Sequence, residues 1–127
     1  MMGLEAWRAY LASHDPKALW DLLDPDAVFE SPVVHTPQRG RDITSKYLTG
    51  AGQVLGNPAF RYTGEWTSET GVVLEFETEL EGIKVNGVDI ITFGADGKIV
   101  HFKVMIRPLK AINMVHQMMG LALSKAS

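Results

Sequence analysis

At Phe60 the spacing of apolar residues changes from helical to alternating, and this one switch commits the chain to an α+β fold. Upstream, Leu4, Trp7 and Leu11 recur at helical intervals with Tyr10 beside them, which predicts an amphipathic first helix. Asp15-Pro16 supplies an N-cap and a proline for the first turn of a second short helix carrying Leu19, Leu22 and Leu23. Asp24-Pro25-Asp26 then reads as a turn. A short strand is expected over Ala27–Ser31, ended by Pro32, and the VVHTPQRG stretch after it reads as a loop. A third helix is expected from about Asp42 to Leu55, stopped by Gly56-Asn57-Pro58.

Downstream of the switch, Phe60, Tyr62 and Trp66 alternate with Arg61, Thr63 and Glu65. Leu74, Phe76, Thr78 and Leu80 alternate with Val73, Glu75, Glu77 and Glu79. Glu81-Gly82 and Asp96-Gly97 are tight-turn pairs that bound strands over Ile83–Phe93 and Ile99–Arg107. Beyond Pro108, the spacing of Leu109, Ile112, His116 and Met119 predicts a closing helix. Helices laid on one face of a strongly bent antiparallel sheet enclose a pocket suited to a small ligand.

Composition narrows what such a pocket can do. The 127 residues, 46% of them apolar, make one domain over 1–127 that can bury about two-thirds of its unfolded surface. With 12 Lys+Arg against 15 Asp+Glu the net charge is −3, which argues against nucleic acid as a partner. There are no cysteines, so disulfides, thiolate nucleophiles and zinc-thiolate sites are all excluded. No apolar run is long enough for a membrane span, and MMGLEAWRAYL lacks the basic n-region of a signal peptide. The expected location is cytoplasmic.

Asp89 is the sharpest chemical feature. It stands mid-strand in GVDIITFG, on the same face as Ile91 and Phe93, the face expected to look inward. A carboxylate there has a raised pKa and can serve as acid or base near neutral pH, or simply satisfy a backbone amide. His35, in the loop after the first strand, is the candidate second proton carrier, with an exposed loop residue as the alternative. His14, His101 and His116 show no metal-ligand spacing, so no metal is expected, and proton transfer by side chains would need no cofactor. Tyr10, Tyr47 and Tyr62 are candidate hydrogen-bond donors or pocket walls, and Trp7 and Trp66 are expected to face inward. The methionines at 114, 118 and 119 offer an adaptable apolar surface for packing or for the pocket mouth.

The outer sheet face combines charge stripes with apolar residues. Glu75, Glu77 and Glu79 lie along one strand; Lys84 occupies the next; His101, Lys103 and Arg107 lie along the last. Val73, Val88, Ile90 and Met105 share that face, more apolar surface than a solvated sheet normally carries. A homodimer through this face is the expectation; a monomer with surface ion pairs is the alternative.

The stretch LLDPDAVFESPVVHTPQRGRDITSKYL resembles the first strand, loop and third helix of SnoaL-like proteins. These belong to the nuclear-transport-factor-2-like superfamily, with polyketide cyclases and ketosteroid isomerases among its members. GVDIITFGADGKIVHFKVMIRPLKAI resembles the matching hairpin and terminal helix. The resemblance implies a cone-shaped α+β barrel. Its strongly bent antiparallel sheet would wrap three N-terminal helical segments, with a C-terminal helix added. It also implies a deep apolar pocket and dimerisation through the sheet.

By its spacing to Gly97-Lys98, Asp89 matches the oxyanion-side acid of ketosteroid isomerases. Ser31 occupies the position of that enzyme's catalytic base, and Trp7 lies nearest its oxyanion tyrosine, with Tyr10 one turn along. Both matched positions thus lack the isomerase's residues, whereas an acid at Asp89 suits a cyclase. The same alignment turns Val100, Phe102, Val104 and Ile106 inward.

Three functions follow. One is a cofactor-free isomerase or cyclase for a small apolar carbonyl compound, with Asp89 and His35 moving protons. Its ligand-binding residues would be Trp7, Tyr10, Phe29, Ser31, Phe60, Tyr62, Trp66, Phe76, Phe102 and Val104. The second is a non-catalytic binding module for such a molecule. The third is a protein-interaction domain whose cone is filled by side chains.

Overall fold

A computed structural model describes residues 1–125. Two helices come first, α1 (Met2–Ser13) and α2 (Pro16–Leu22), then β1 (Leu23–Glu30), β2 (Gln38–Arg39) and α3 (Arg41–Leu55). The meander follows as β3 (Arg61–Thr67), β4 (Gly71–Leu80), β5 (Ile83–Phe93) and β6 (Ile99–Arg107), and α4 (Leu109–Lys125) ends the fold. The six strands form one curved sheet in the order β2-β1-β6-β5-β4-β3, whose two edges do not meet. The helices fill its concave side, so the cone is closed by helices rather than by strand pairing.

Local chemistry explains the boundaries. Asp15 accepts a hydrogen bond from the Lys17 amide at 3.0 Å and Pro16 opens α2. The β4–β5 turn puts Glu81 and Gly82 at φ 50° and 80°, the two left-handed residues that match the twist of a hairpin. Two hydrogen bonds fasten α3 to β1: Thr44 Oγ1 donates to the Ala27 carbonyl at 3.2 Å, and Arg41 Nε to that of Leu23 at 3.0 Å.

Sheet pairing departs from a purely antiparallel meander in one place, because β1 runs parallel to β6. Pairing between strands so far apart in sequence leaves no local trace. β1 also begins at Leu23, earlier than expected; Asp24-Pro25-Asp26 lies within a register shift while Leu23 and Ala27 both stay fully buried. Gln38–Arg39, expected as loop, pairs with Phe29 and Val28 as the short edge strand β2.

Two further shifts overturn expected facings. Between Tyr62 and Gly64 the β3–β4 register slips by one residue, which flips the remainder of β3. Trp66 therefore lies opposite Val73 on the outer face and is 58% exposed, not inward. A second slip, between Thr92 and Phe93, brings Ile99 rather than Val100 into the core. Inward alternation otherwise holds: Leu74, Phe76, Ile91, Phe102 and Val104 are buried beneath the helices. Gly87 lies opposite Phe76, and a Cβ there would come within 2.4 Å of the Met105 carbonyl and 2.6 Å of the Phe76 ring. Only glycine lets that ring lie against β5.

Candidate functional site

Beneath the helices the sheet encloses a cavity of about 520 Å³, the size of small-ligand sites. A cone packed shut by its own side chains, as the interaction-domain alternative required, is not what these residues form. Trp7 and Tyr10 of α1, Phe29 of β1, Phe60 and Tyr62, Phe76 of β4, and Phe102 and Val104 of β6 all line it. The rings touch in sequence around the wall. Trp7 and Phe102 have centroids 5.0 Å apart, Phe60 stacks on Phe76 at 5.4 Å, and Phe60 meets Tyr62 edge-on at 5.1 Å.

Into this apolar lining β5 delivers Asp89, whose side is flanked across the ladder by Leu74 and Val104. Asp89 is 7% exposed. Trp7 Nε1 donates to Tyr62 Oη at 3.1 Å, and Tyr62 in turn donates to Asp89 Oδ2 at 2.7 Å. Because the phenol oxygen already accepts from Trp7, its single hydrogen is directed at Asp89. The other carboxyl oxygen, Oδ1, has no partner among the described residues and is left for a ligand.

Electrostatics follow from this burial. Removal from water pushes the Asp89 pKa up to about 7, and the Tyr62 hydrogen bond offsets only part of that rise. Burial and the adjacent Asp89 charge together push the Tyr62 phenol far above its ordinary value, so it remains a donor throughout the working pH range. Burial likewise raises Tyr10, although a hydrogen bond from Thr49 opposes it. The site therefore holds a carboxyl that gains or loses a proton near neutrality, supported by a phenol that does not.

The remaining sequence-derived candidates divide. Ser31 lines the cavity, but its Oγ accepts from the amides of Val33 at 3.0 Å and Val34 at 3.3 Å. This turn brings Ser31 through Val34 to the wall and leaves His35 exposed and outside the lining. The structure therefore does not bring His35 together with Asp89, and Trp66 is likewise absent from the lining.

The rim is built from residues outside the expected site. His14, Val34, Gly56, Arg61, His116 and Gly120 line the cavity yet are exposed, so they surround its mouth. For His116 the signal was available in its helical spacing to Met119; for His14, which caps α1 in a left-handed turn at φ 56°, there was none. No group of three His, Asp or Glu side chains gathers as a metal site among the described residues.

Comparison with known proteins places this geometry. The SnoaL-like domain family matches residues 4–102. The chain belongs to the SnoaL-like family. A crystal structure of a steroid delta-isomerase from Pseudomonas aeruginosa superposes with a TM-score of 0.91 at 35% identity, covering 98% of this chain and 90% of that one. An uncharacterised bacterial protein with a cystatin-like fold from Silicibacter pomeroyi DSS-3 gives 0.84 at 28% identity, over 94% and 83% of the two chains. A nuclear-transport-factor-2-like protein from Mesorhizobium loti gives 0.70 at 20% identity, over 84% and 92%, and shares the fold. Among curated proteins none matches the chain. The SnoaL-like fold expected from the sequence is therefore established, and its relatives include isomerases. Among the described residues no helix is long and apolar enough to cross a membrane.

Proposed function

We propose that this SnoaL-like protein binds a small, largely apolar carbonyl compound in the cavity and moves a proton on it through Asp89. The reaction would be of isomerase or cyclase type. The observation that carries this is a buried carboxyl with one free oxygen, poised near pH 7, in a mainly apolar cavity of about 520 Å³. In its protonated form Asp89 can donate a hydrogen bond to a ligand carbonyl; ionised, it can take a proton from the adjacent carbon. Tyr62, held by Trp7, stabilises the ionised form and fixes the carboxyl's orientation. Side-chain proton transfer of this kind requires no cofactor.

Similarity to a steroid delta-isomerase supports the isomerase side. Steroid isomerisation itself is not proposed, because Ser31 stands where the resembling enzymes carry their base and its hydroxyl is engaged with two backbone amides. One observation favours a second reading, a binding module without turnover: among the described residues Asp89 is the only acidic one that lines the cavity.

Deuterium exchange separates the two without knowledge of the natural substrate. A panel of small cyclic ketones in D₂O, followed by proton NMR, should show enzyme-dependent loss of the α-proton signal. Asp89→Asn should slow it by roughly 10²–10⁴-fold, the usual contribution of a general acid or base. Exchange that is unchanged in this variant removes Asp89 from the chemistry; binding without any exchange supports the module.

The outer sheet face suits a second copy of the chain, and we propose a homodimer through it in the cytosol. That face carries the acidic Glu75, Glu77 and Glu79 on β4 and the basic Lys103 and Arg107 on β6, of which Glu77, Glu79 and Lys103 pair within the chain with Arg61, Lys84 and Glu30. Between them lie Val73, Val88, Ile90 and the 51%-exposed Met105.

A further inference from the structure

The cavity's outer wall is built differently from the rest. α4 supplies Val115, His116, Met119, Gly120 and Leu123 to the lining. Its two buried residues, Ala111 and Val115, both lie in the half nearest β6, and from His116 to Lys125 none is buried. The first half is therefore anchored, while the second rests on α3. Where it rests, α3 presents Gly50: a Cβ added there would lie 3.3 Å from Met119 Cε and 3.9 Å from Ala122 Cβ. The contact is thus apolar, with methionine, a flexible side chain that repacks readily, on the α4 side.

Two more glycines flank this seam. Gly52 of α3 and Gly120 of α4 both line the cavity, and a Cβ added at either meets nothing within 4 Å. Neither has a positive φ. Apart from proline, glycine is the least favourable residue inside a helix, and here neither crowding nor backbone geometry calls for it. What the missing side chains do is leave open space at two points of the cavity wall, one on each helix.

We propose that ligands enter and leave between α3 and α4, with the half of α4 beyond Val115 swinging outward as a lid and Gly52 and Gly120 setting the width of the opening. This rests on the cavity being the ligand site. Segments without fully buried residues open more readily than anchored ones, and the distal half of α4 holds the core only through partly buried Met118, Met119 and Ala122.

The absence of native cysteine makes the lid directly testable. In the Gly50→Cys/Ala122→Cys double variant the Cβ separation of 3.9 Å falls inside the ~3.5–4.5 Å window of a disulfide. Oxidation should tie the lid shut and reduction should release it. Stopped-flow uptake of 1-anilinonaphthalene-8-sulfonate should be at least about tenfold slower in the oxidised form than in the reduced form, as expected when lid opening limits entry. Equal rates in the two forms overturn the lid while leaving the cavity as the binding site. Failure of the wild-type protein to take up the probe overturns both. Gly120→Leu provides an independent arm, since its side chain projects into open space. It should slow uptake with unchanged circular dichroism; a wild-type rate would remove Gly120 from the portal.

Discussion

Two carboxylates on the same sheet behave in opposite ways. Asp89 lies mid-strand on the concave face, with apolar neighbours and one hydrogen-bond donor, and its pKa is pushed up to about 7. Glu30 lies at the end of β1 on the convex face, 2.6 Å from His101 Nε2 and 3.5 Å from Lys103 Nζ. Partial burial opposes its ionisation, but the hydrogen bond and positive charges of His101 and Lys103 outweigh it, and its pKa falls. Desolvation acts on both groups; the number of cationic partners decides the direction. A carboxyl given cations becomes a structural ion, whereas one given a phenol and a cavity becomes a proton store.

The largest expected effect comes from removing the inner carboxyl. In the unfolded chain Asp89 ionises near 3.8, but in the folded state only near 7. Between those values the folded state holds a proton that the unfolded state has lost, so stability falls as pH rises from about 4 to 7 and is level beyond. A shift of this size corresponds to at most about 4 kcal/mol. Asp89→Asn should therefore raise stability at pH 8 by up to a few kcal/mol, with little change at pH 4, while slowing α-proton exchange by the same roughly 10²–10⁴-fold. Urea denaturation at the two pH values checks this, and equal stability changes at both would break the contrast with Glu30.

Tyr62→Phe comes next. It removes the donor that favours the ionised carboxyl, so the midpoint of any Asp89-dependent pH profile should move upward. Stability at neutral pH should fall by about 1–3 kcal/mol, the cost of an unpartnered buried acceptor. An unmoved profile would show that Tyr62 serves packing alone.

On the convex face, Ile90→Lys should convert the proposed dimer to a species near 14.0 kDa by light scattering. A wild-type protein that already runs at that mass would contradict the dimer. The smallest effect is expected for Glu30→Gln, a modest destabilisation present above pH 4.5 that vanishes as pH falls through the lowered Glu30 pKa. This slope has the opposite sign to that of Asp89.

Much of this contrast was legible in the sequence because it depends on alternation. Asp89 shares parity with Ile91 and Phe93, and Glu75 with Glu77, so their faces could be read directly. The same logic failed at Trp66, where one extra residue near Gly64 inverts the parity without altering local composition. His35 lies in a loop, beyond the reach of alternation; the turn before it, in which the Val33 and Val34 amides donate to Ser31 Oγ, brings residues 31–34 to the wall and leaves His35 outside. Parallel pairing of β1 with β6, and the gathering of His14 and His116 at one rim, depend on contacts between distant segments. Alternation cannot report those.

The central claim is that Asp89 exchanges its proton near neutral pH inside the cavity, and a carbon-13 NMR titration of the carboxyl signals tests it most directly. The Asp89 resonance, assigned by its absence in Asp89→Asn, should titrate with a midpoint at about 7. A midpoint near the ordinary value of 3.8 would contradict it.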